Sequence, residues 1–306
     1  MSQKQQKWLF LATFLLPGTL LYSVFVVYPA LRGLYVSFFK WTGLSMNMTF
    51  IGVANFTKLW KEMTDVDDYY GLRTYLSHNG FLFLVALITI VLALAAAALI
   101  NNKPRGYNWF RVTYFFPNVL AIPAIALLWS MTLNPEYGLL NNFLKLVGLD
   151  AWALPWFSLQ YEMPGFRLGL YTVGFISIWA GLGWNMIILL AAIQNVPTEY
   201  IEAALIDGAG KLRAFFSITL PLIWETTQTL LIFAIIGALN TFALTFVLFE
   251  QNANRNSDVI MNYYYWQAFG DNNWGYASAI VAVVFVFTMI ASLFAYGVFN
   301  RETVQY

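Results

Sequence analysis

The run Asp207-Gly208-Ala209-Gly210-Lys211-Leu212-Arg213 sets a lysine directly after a glycine, the pairing with which a phosphate-binding loop grips a nucleotide. Such a loop needs glycine at position 205, where Leu205 stands, and serine or threonine after the lysine, where Leu212 stands. The run is therefore no nucleotide cradle. Metal and thiol chemistry fall as well, because there is one histidine, His78, and no cysteine. His78 has no second histidine or thiolate with which to share an ion. The expectation for it is an interfacial polar residue just before a hydrophobic run. The carboxylates are scattered over polar segments and offer no reactive constellation, which excludes an integral membrane enzyme. What remains is uncharged. Ser177, Trp179, Gly181, Trp184 and Asn185 lie inside one apolar run, and Asn240 and Thr241 lie inside the next.

The elements that must position these residues are set by composition. The 306 residues are 60% hydrophobic and 10% charged, against about 25% charged in soluble domains. This is a membrane protein. Its net charge of +1 gives no basic field for nucleic acid. A hydrocarbon layer of about 30 Å takes about 20 apolar residues per helix. Apolar runs near 9–29, 80–100, 112–131, 168–193, 226–249 and 276–299 predict six spans, none of which contains Asp, Glu, Lys or Arg. Ion-coupled carriers place such groups in the membrane, so a secondary carrier driven by protons or cations is disfavoured. Lys4 and Lys7 precede the first run and no small-residue cleavage site follows it, which predicts a retained span. Possible breaks fall at Pro17, Pro117, Pro123, Gly174, Gly181, Gly183 and Gly237, and each reads equally as close packing through small residues.

Six spans put both termini on one side. With the termini inside, the inner segments hold Lys4, Lys7, Lys103, Arg105, Arg111, Lys211, Arg213 and Arg301, and the outer ones Arg32, Lys40, Lys58, Lys61, Arg73, Lys145, Arg167 and Arg255. The numbers are equal but the inner segments are shorter, and short loops weigh most, so the termini are expected to be cytoplasmic.

Between the fourth and fifth runs, residues 196–222 are too short and too polar to span. Pro197 and Thr198 predict a helix start, with Thr198 as cap and Glu199 and Glu202 near the positive end of its dipole. Ile201 and Leu205 share an apolar face beside Ala204, and Gly208 and Gly210 stop the helix. A second short helix carries Leu212, Phe215 and Phe216 on one side and Lys211, Arg213 and Ser217 on the other, and Pro221 closes it. The expected product is a helix-turn-helix elbow whose apolar face needs a partner. The headgroup layer, the chain's own loops and a groove on a separate cytoplasmic subunit are all open on these grounds.

The pattern Glu202-Ala203-Ala204, two residues, Asp207-Gly208-Ala209, then Ile218-x-Leu220-Pro221 resembles the EAA loop of ABC importer permeases. "YPALRGLYVSFFKW" (28–41), "FIGVANFTKLW" (50–60), "FFPNVLAIPAIALLW" (115–129), "YGLLNNFL" (137–144) and "YYYWQAFGDNNWGYASAI" (263–280) extend the resemblance to maltose-type sugar permeases over nearly the whole chain. Glu225 stands where that family often has a proline. The resemblance implies an all-α integral membrane protein of six transmembrane helices, a single permease domain over 1–306, with a cytoplasmic coupling loop between helices 4 and 5. It implies that Glu202, Ala203, Ala204 and Leu205 lie on the docking helix, with Asp207 and Gly208 at its turn and Phe215 beyond, against an ATPase subunit.

The same resemblance implies that substrate is held by the spans either side of the loop, at Ser177, Gly181, Trp184, Asn185, Gly237, Asn240 and Thr241. A neutral sugar needs uncharged hydrogen-bonding groups and aromatic faces of this sort. Trp179 and Trp184, five apart, cannot both face one cavity squarely. The implied assembly is a heterodimer with a second homologous permease, two cytoplasmic ATPase subunits that bind ATP and magnesium, and an extracytoplasmic sugar-binding protein, in a bacterial cytoplasmic membrane. This chain would bind no cofactor itself, and its cargo would be a mono- or oligosaccharide. A uniporter of neutral solutes, the alternative, would need neither elbow nor ATPase, and a purely structural subunit would leave the polar aromatic patch of the fourth span without a use.

Overall fold

A computed structural model describes residues 2–45, 47–65, 72–157, 162–163, 166–251 and 257–299. Arg255 and Arg301, counted above, lie outside them. In chain order the elements are α1 (Gln3–Tyr22), a π turn (Ser23–Val27), α2 (Tyr28–Val36), β1 (Phe39–Lys40), β2 (Thr49–Phe50), α3 (Ala54–Thr64), α4 (Leu72–Asn101) and α5 (Tyr107–Phe115). Then come α6 (Ile122–Thr132), α7 (Leu139–Leu146), β3 (Glu162–Met163), β4 (Phe166–Arg167) and α8 (Leu168–Gln194). The remainder are α9 (Thr198–Ile206), α10 (Lys211–Ala214), α11 (Leu220–Leu222), α12 (Trp224–Leu239), α13 (Ala243–Gln251), α14 (Ile260–Tyr265) and α15 (Trp274–Phe299).

Among the described residues five helical stretches are long and apolar enough to cross a membrane: Gln3–Val36, Leu72–Asn101, Leu168–Gln194, Trp224–Phe249 and Trp274–Phe299. A sixth arises if the pair Tyr107–Val119 and Ile122–Thr132, bent by 100°, is one span. This pair occupies the apolar run at 112–131, and the bend has a local cause. Pro117 lacks the amide that would continue the helix, the chain tightens into a 3-10 turn at Phe116–Val119, and Leu120 is extended. Pro123 then sits in the first turn of α6, where a missing amide costs nothing. At the other candidate positions the helices are continuous, as the close-packing alternative has it. α8 runs unbroken through Gly174, Gly181 and Gly183, α12 through Gly237 and α1 through Pro17.

The chain divides into two compact units. In the first, residues 1–65 and 264–286, a Ser2–Gln5 capping box starts α1. β1 and β2 form an antiparallel ribbon with Phe39 opposite Phe50. Buried Asn55 of α3 donates to the carbonyls of Ser37 and Phe39, at 2.8 and 3.0 Å, and so fixes the ribbon. The start of α15 lies on it: a Cβ at Gly275 would fall 2.0 Å from the Phe39 carbonyl. Buried Tyr276 donates its hydroxyl to Glu62, with Lys58 4.0 Å over its ring.

In the second unit, residues 66–263 and 287–306, α4 packs along α8 and α12, α5 along α8, and α13 on α6. Two apolar clusters fill it. One joins Leu82, Ile125, Ala126, Val173, Ile176 and Leu248; the other joins Ile90, Ala93, Ala97, Met186, Leu189 and Leu230. The alanines of α4 bring the helix axes close. Leu84, Ile88, Val91 and Leu99, on its other side, are exposed, the surface a membrane helix gives to lipid or to another membrane chain.

Candidate functional site

Between α4, α8 and α12 lies a cavity of about 260 Å³. α4 contributes Leu82, Val85, Ala86, Thr89 and Ile90, and α8 contributes Ser177, Gly181, Trp184 and Asn185. α12 and the residues just after it add Leu230, Phe233, Gly237 and Thr241. No lining residue is charged. Three of the polar groups are anchored to helix carbonyls four residues back: Thr89 Oγ1 donates to Val85, Asn185 Nδ2 to Gly181 and Thr241 Oγ1 to Gly237, each at 2.8 Å. A hydroxyl that donates back to its helix keeps its lone pairs, so Thr89 and Thr241 present acceptors.

The structure thus brings together Ser177, Gly181, Trp184, Asn185, Gly237 and Thr241. Asn240 does not line the cavity; it caps the C-terminal end of α12 and turns its amide back to the Ile236 carbonyl, at 2.8 Å. Of the two tryptophans Trp184 lines the cavity, while Trp179 stands edge-on to Trp129, centroids 5.5 Å apart, against the first apolar cluster. Thr89 was missed in the sequence, although a lone hydroxyl in the run 80–100 marked it.

The elbow joins the two cavity walls directly: α8 ends at Gln194, α9 begins at Thr198, and α10 and α11 lead into α12 at Trp224. Thr198 is not the cap. Pro197 holds that position with extended ψ, and Thr198 is the first helical residue. The turn after α9 uses the left-handed conformation of Gly208, φ +83°, and the Gly208 amide closes on the Leu205 carbonyl at 3.1 Å. Ile201 and Phe215 pack on the second apolar cluster, which seats the elbow on the cavity helices. Glu202, Ala203, Leu205, Asp207 and Gly208 are exposed, and Ala204 is half-buried. The apolar side foreseen for the second short helix is divided, since Phe215 turns inward while Leu212 and Phe216 stay exposed. Consecutive residues of a helix point about 100° apart, which separates Phe215 from Phe216, while Leu212 and Phe216, four apart, share the outer side.

His78 lies within α4 rather than ahead of it, buried among the chain's own residues with Nδ1 2.6 Å from the Asp258 carbonyl. A carbonyl accepts, so the ring proton is on Nδ1. Beside it Asn79 donates to the Ala238 carbonyl at 2.7 Å and accepts from the Ile260 amide at 3.0 Å. Asn262 donates to Asp258 Oδ1 at 2.7 Å and accepts from Thr245 at 3.1 Å. These bonds tie α4 to the end of α12 and the start of α14. Asn79→Leu leaves a buried carbonyl and a buried amide without partners, and is expected to cost about 2–4 kcal/mol, read as a lower melting temperature of the detergent-purified chain.

A family model described as "Binding-protein-dependent transport system inner membrane component" matches residues 89–304. The chain is similar to the multiple sugar-binding transport system permease protein MsmF of Streptococcus mutans, 32% identical over 286 residues, with 92% of each chain covered. It is also similar to the diacetylchitobiose uptake system permease protein NgcF of Streptomyces coelicolor, 31% identical over 297 residues, covering 92% of this chain and 80% of that one. Among solved structures, a chain of a bacterial ABC transporter involved in import of the acidic polysaccharide alginate superposes with a TM-score of 0.78, at 23% identity and 98% coverage of both chains. A chain of a bacterial alginate ABC transporter in complex with an alginate pentasaccharide-bound periplasmic protein gives 0.79 at 24% identity and 98% coverage of both chains. These last two are likenesses of fold.

Proposed function

The chain belongs to the family of binding-protein-dependent transport system inner membrane components, and on that premise we propose that it is a permease subunit of an ATP-driven sugar importer. The observation that carries the reading is likeness to sugar-transport permeases over nine-tenths of the chain. The uncharged cavity between α4, α8 and α12 supports it, since hydroxyl, amide and indole groups suit a neutral polyhydroxylated ring.

In this reading the membrane is a bacterial cytoplasmic membrane and both termini are cytoplasmic. The exposed elbow docks into a groove of an ATPase subunit, one of two that hold ATP and magnesium, while a second permease completes the pathway and an extracytoplasmic protein delivers the sugar. Ile201 and Phe215 make the elbow part of the packed core, so closure of the ATPase pair is passed to α8 and α12 at once. The cavity then opens alternately to the two sides.

Uptake of labelled sugars by proteoliposomes holding this chain and the transport proteins encoded beside it tests the reading. Uptake should require ATP and the binding protein. Equilibration of sugar by this chain without ATP would instead establish the uniporter. Gly237→Phe probes the cavity. A Cβ at Gly237 meets nothing within 4 Å, so the ring enters open space, and the variant should assemble normally with uptake at least about tenfold lower, as expected where a site loses its fit to substrate. Normal uptake by Gly237→Phe would remove the cavity from the pathway.

A further inference from the structure

α7 is an amphipathic helix turned inside out. At about 100° per residue, Leu139, Phe143 and Leu146 form a straight stripe on the side opposite Asn141. Asn141 faces inward and is 1% exposed. It donates to the Leu154 carbonyl and accepts from Trp156 Nε1, both at 2.9 Å, and Leu140 and Trp156 pack on the first apolar cluster. The orientation is thereby fixed, and it leaves Leu139 76%, Phe143 57% and Leu146 84% exposed. A helix washed by water would present the asparagine and bury the leucines.

The surroundings indicate what covers this stripe. α7 has eight residues and is too short to span. It follows α6, whose Leu127, Leu128 and Met131 are exposed, after a compact turn. Asn134 Oδ1 accepts from the amides of Glu136 and Tyr137, at 2.9 and 3.2 Å. Gly138 allows the closure, since a Cβ there would lie 2.3 Å from the Asn134 carbonyl. α7 is therefore held at the level where an apolar helix ends. Exposed Tyr137 and Trp152 flank it, rings that favour the boundary between headgroups and acyl chains, and Lys145 stands at its edge with a stem long enough to reach the headgroups.

We propose that α7 lies in the lipid headgroup layer, with Leu139, Phe143 and Leu146 among the upper acyl carbons. The proposal rests on the membrane reading and not on the identity of the cargo.

Because the chain has no cysteine, Leu146→Cys gives one nitroxide site on the full chain. The labelled chain is placed in nanodiscs of phosphatidylcholine and phosphatidylglycerol, with Val91→Cys on the exposed side of α4 and Lys211→Cys on the elbow as references. The nitroxide at 146 should be mobile, with a ratio of oxygen to nickel-chelate accessibility several-fold above that at 211, as at 91. A water-like ratio at 146 with a lipid-like ratio at 91 overturns the proposal and leaves the membrane reading intact. Water-like ratios at both overturn both. An immobilised signal at 146, closed to oxygen and nickel alike, places α7 against another protein and also overturns the proposal.

Discussion

Glu202→Lys combined with Gly208→Val is expected to strip the ATPase subunits from the purified transporter. Glu202 is exposed on α9, six residues before a turn that only a left-handed residue closes, and Gly208 takes φ +83° there. A β-branched residue held in that conformation costs about 1–2 kcal/mol and is relieved by re-aiming the helix. A reversed charge at a docked face adds several kcal/mol against the partner. Since 1.4 kcal/mol is tenfold in affinity, the ATPase should bind about a hundredfold more weakly or worse. The measurement is co-purification in mild detergent, with ATPase and second permease quantified by mass spectrometry. Loss of the ATPase with retention of the second permease is the expected result. Retention of the ATPase at wild-type stoichiometry would remove the elbow from the coupling pathway, and absence of any ATPase from the wild type would favour an interfacial role for it.

Gly183→Ala is the substitution expected to do most damage to the fold. A Cβ there lies 2.0 Å from the Tyr114 carbonyl oxygen and 2.8 Å from the Phe115 Cα. Both neighbours are backbone atoms at the end of α5, where the chain begins its 100° bend, so no side chain can swing aside. The expected cost is about 3 kcal/mol or more, read as aggregation or a fall in melting temperature on size-exclusion chromatography in detergent. Gly181→Ala, two residues away, is the control. Its Cβ would meet Thr89 Cγ2 at 3.5 Å, an ordinary contact, and the variant should behave as wild type. Equal stability of the two would show that α5 does not hold its carbonyl against α8.

The contrast between these glycines marks where sequence reasoning stopped. Length and hydropathy locate long apolar helices because the bilayer sets one scale for all of them. A helix apolar on every side, however, carries no stripe to say which face is buried. Gly181 and Gly183 look alike in the sequence, yet one lines a cavity and the other receives a backbone. The bend at 115–122 was signalled by Pro117 and Pro123, residues whose effect is local. The burial of His78 was not, because its partner Asp258 lies 180 residues away. Thr89 and Asn240 changed places for a related reason. Polarity within a span marks a candidate, but position around the helix decides which candidates face a cavity, and the amide of Asn240 is taken up by the Ile236 carbonyl.

If α12 tilts in the alternating-access cycle proposed above, the bond from Asn79 to the Ala238 carbonyl marks the point about which it would turn. From Ala238 back to Trp224 is 14 residues of helix, a lever arm of about 21 Å at 1.5 Å per residue. A rotation of about 10° about that fulcrum carries the elbow end through about 4 Å while the cavity residue Gly237, one position from the fulcrum, barely moves; Phe233 and Leu230, farther along the arm, are displaced in proportion. Trp224 and Gln228 donate to the carbonyls of Phe299 and Tyr296, at 2.7 and 3.0 Å, so the last turns of α15 would follow that end. Such a tilt would be graded along α12, leaving one rim of the cavity nearly stationary while the other is swept past it.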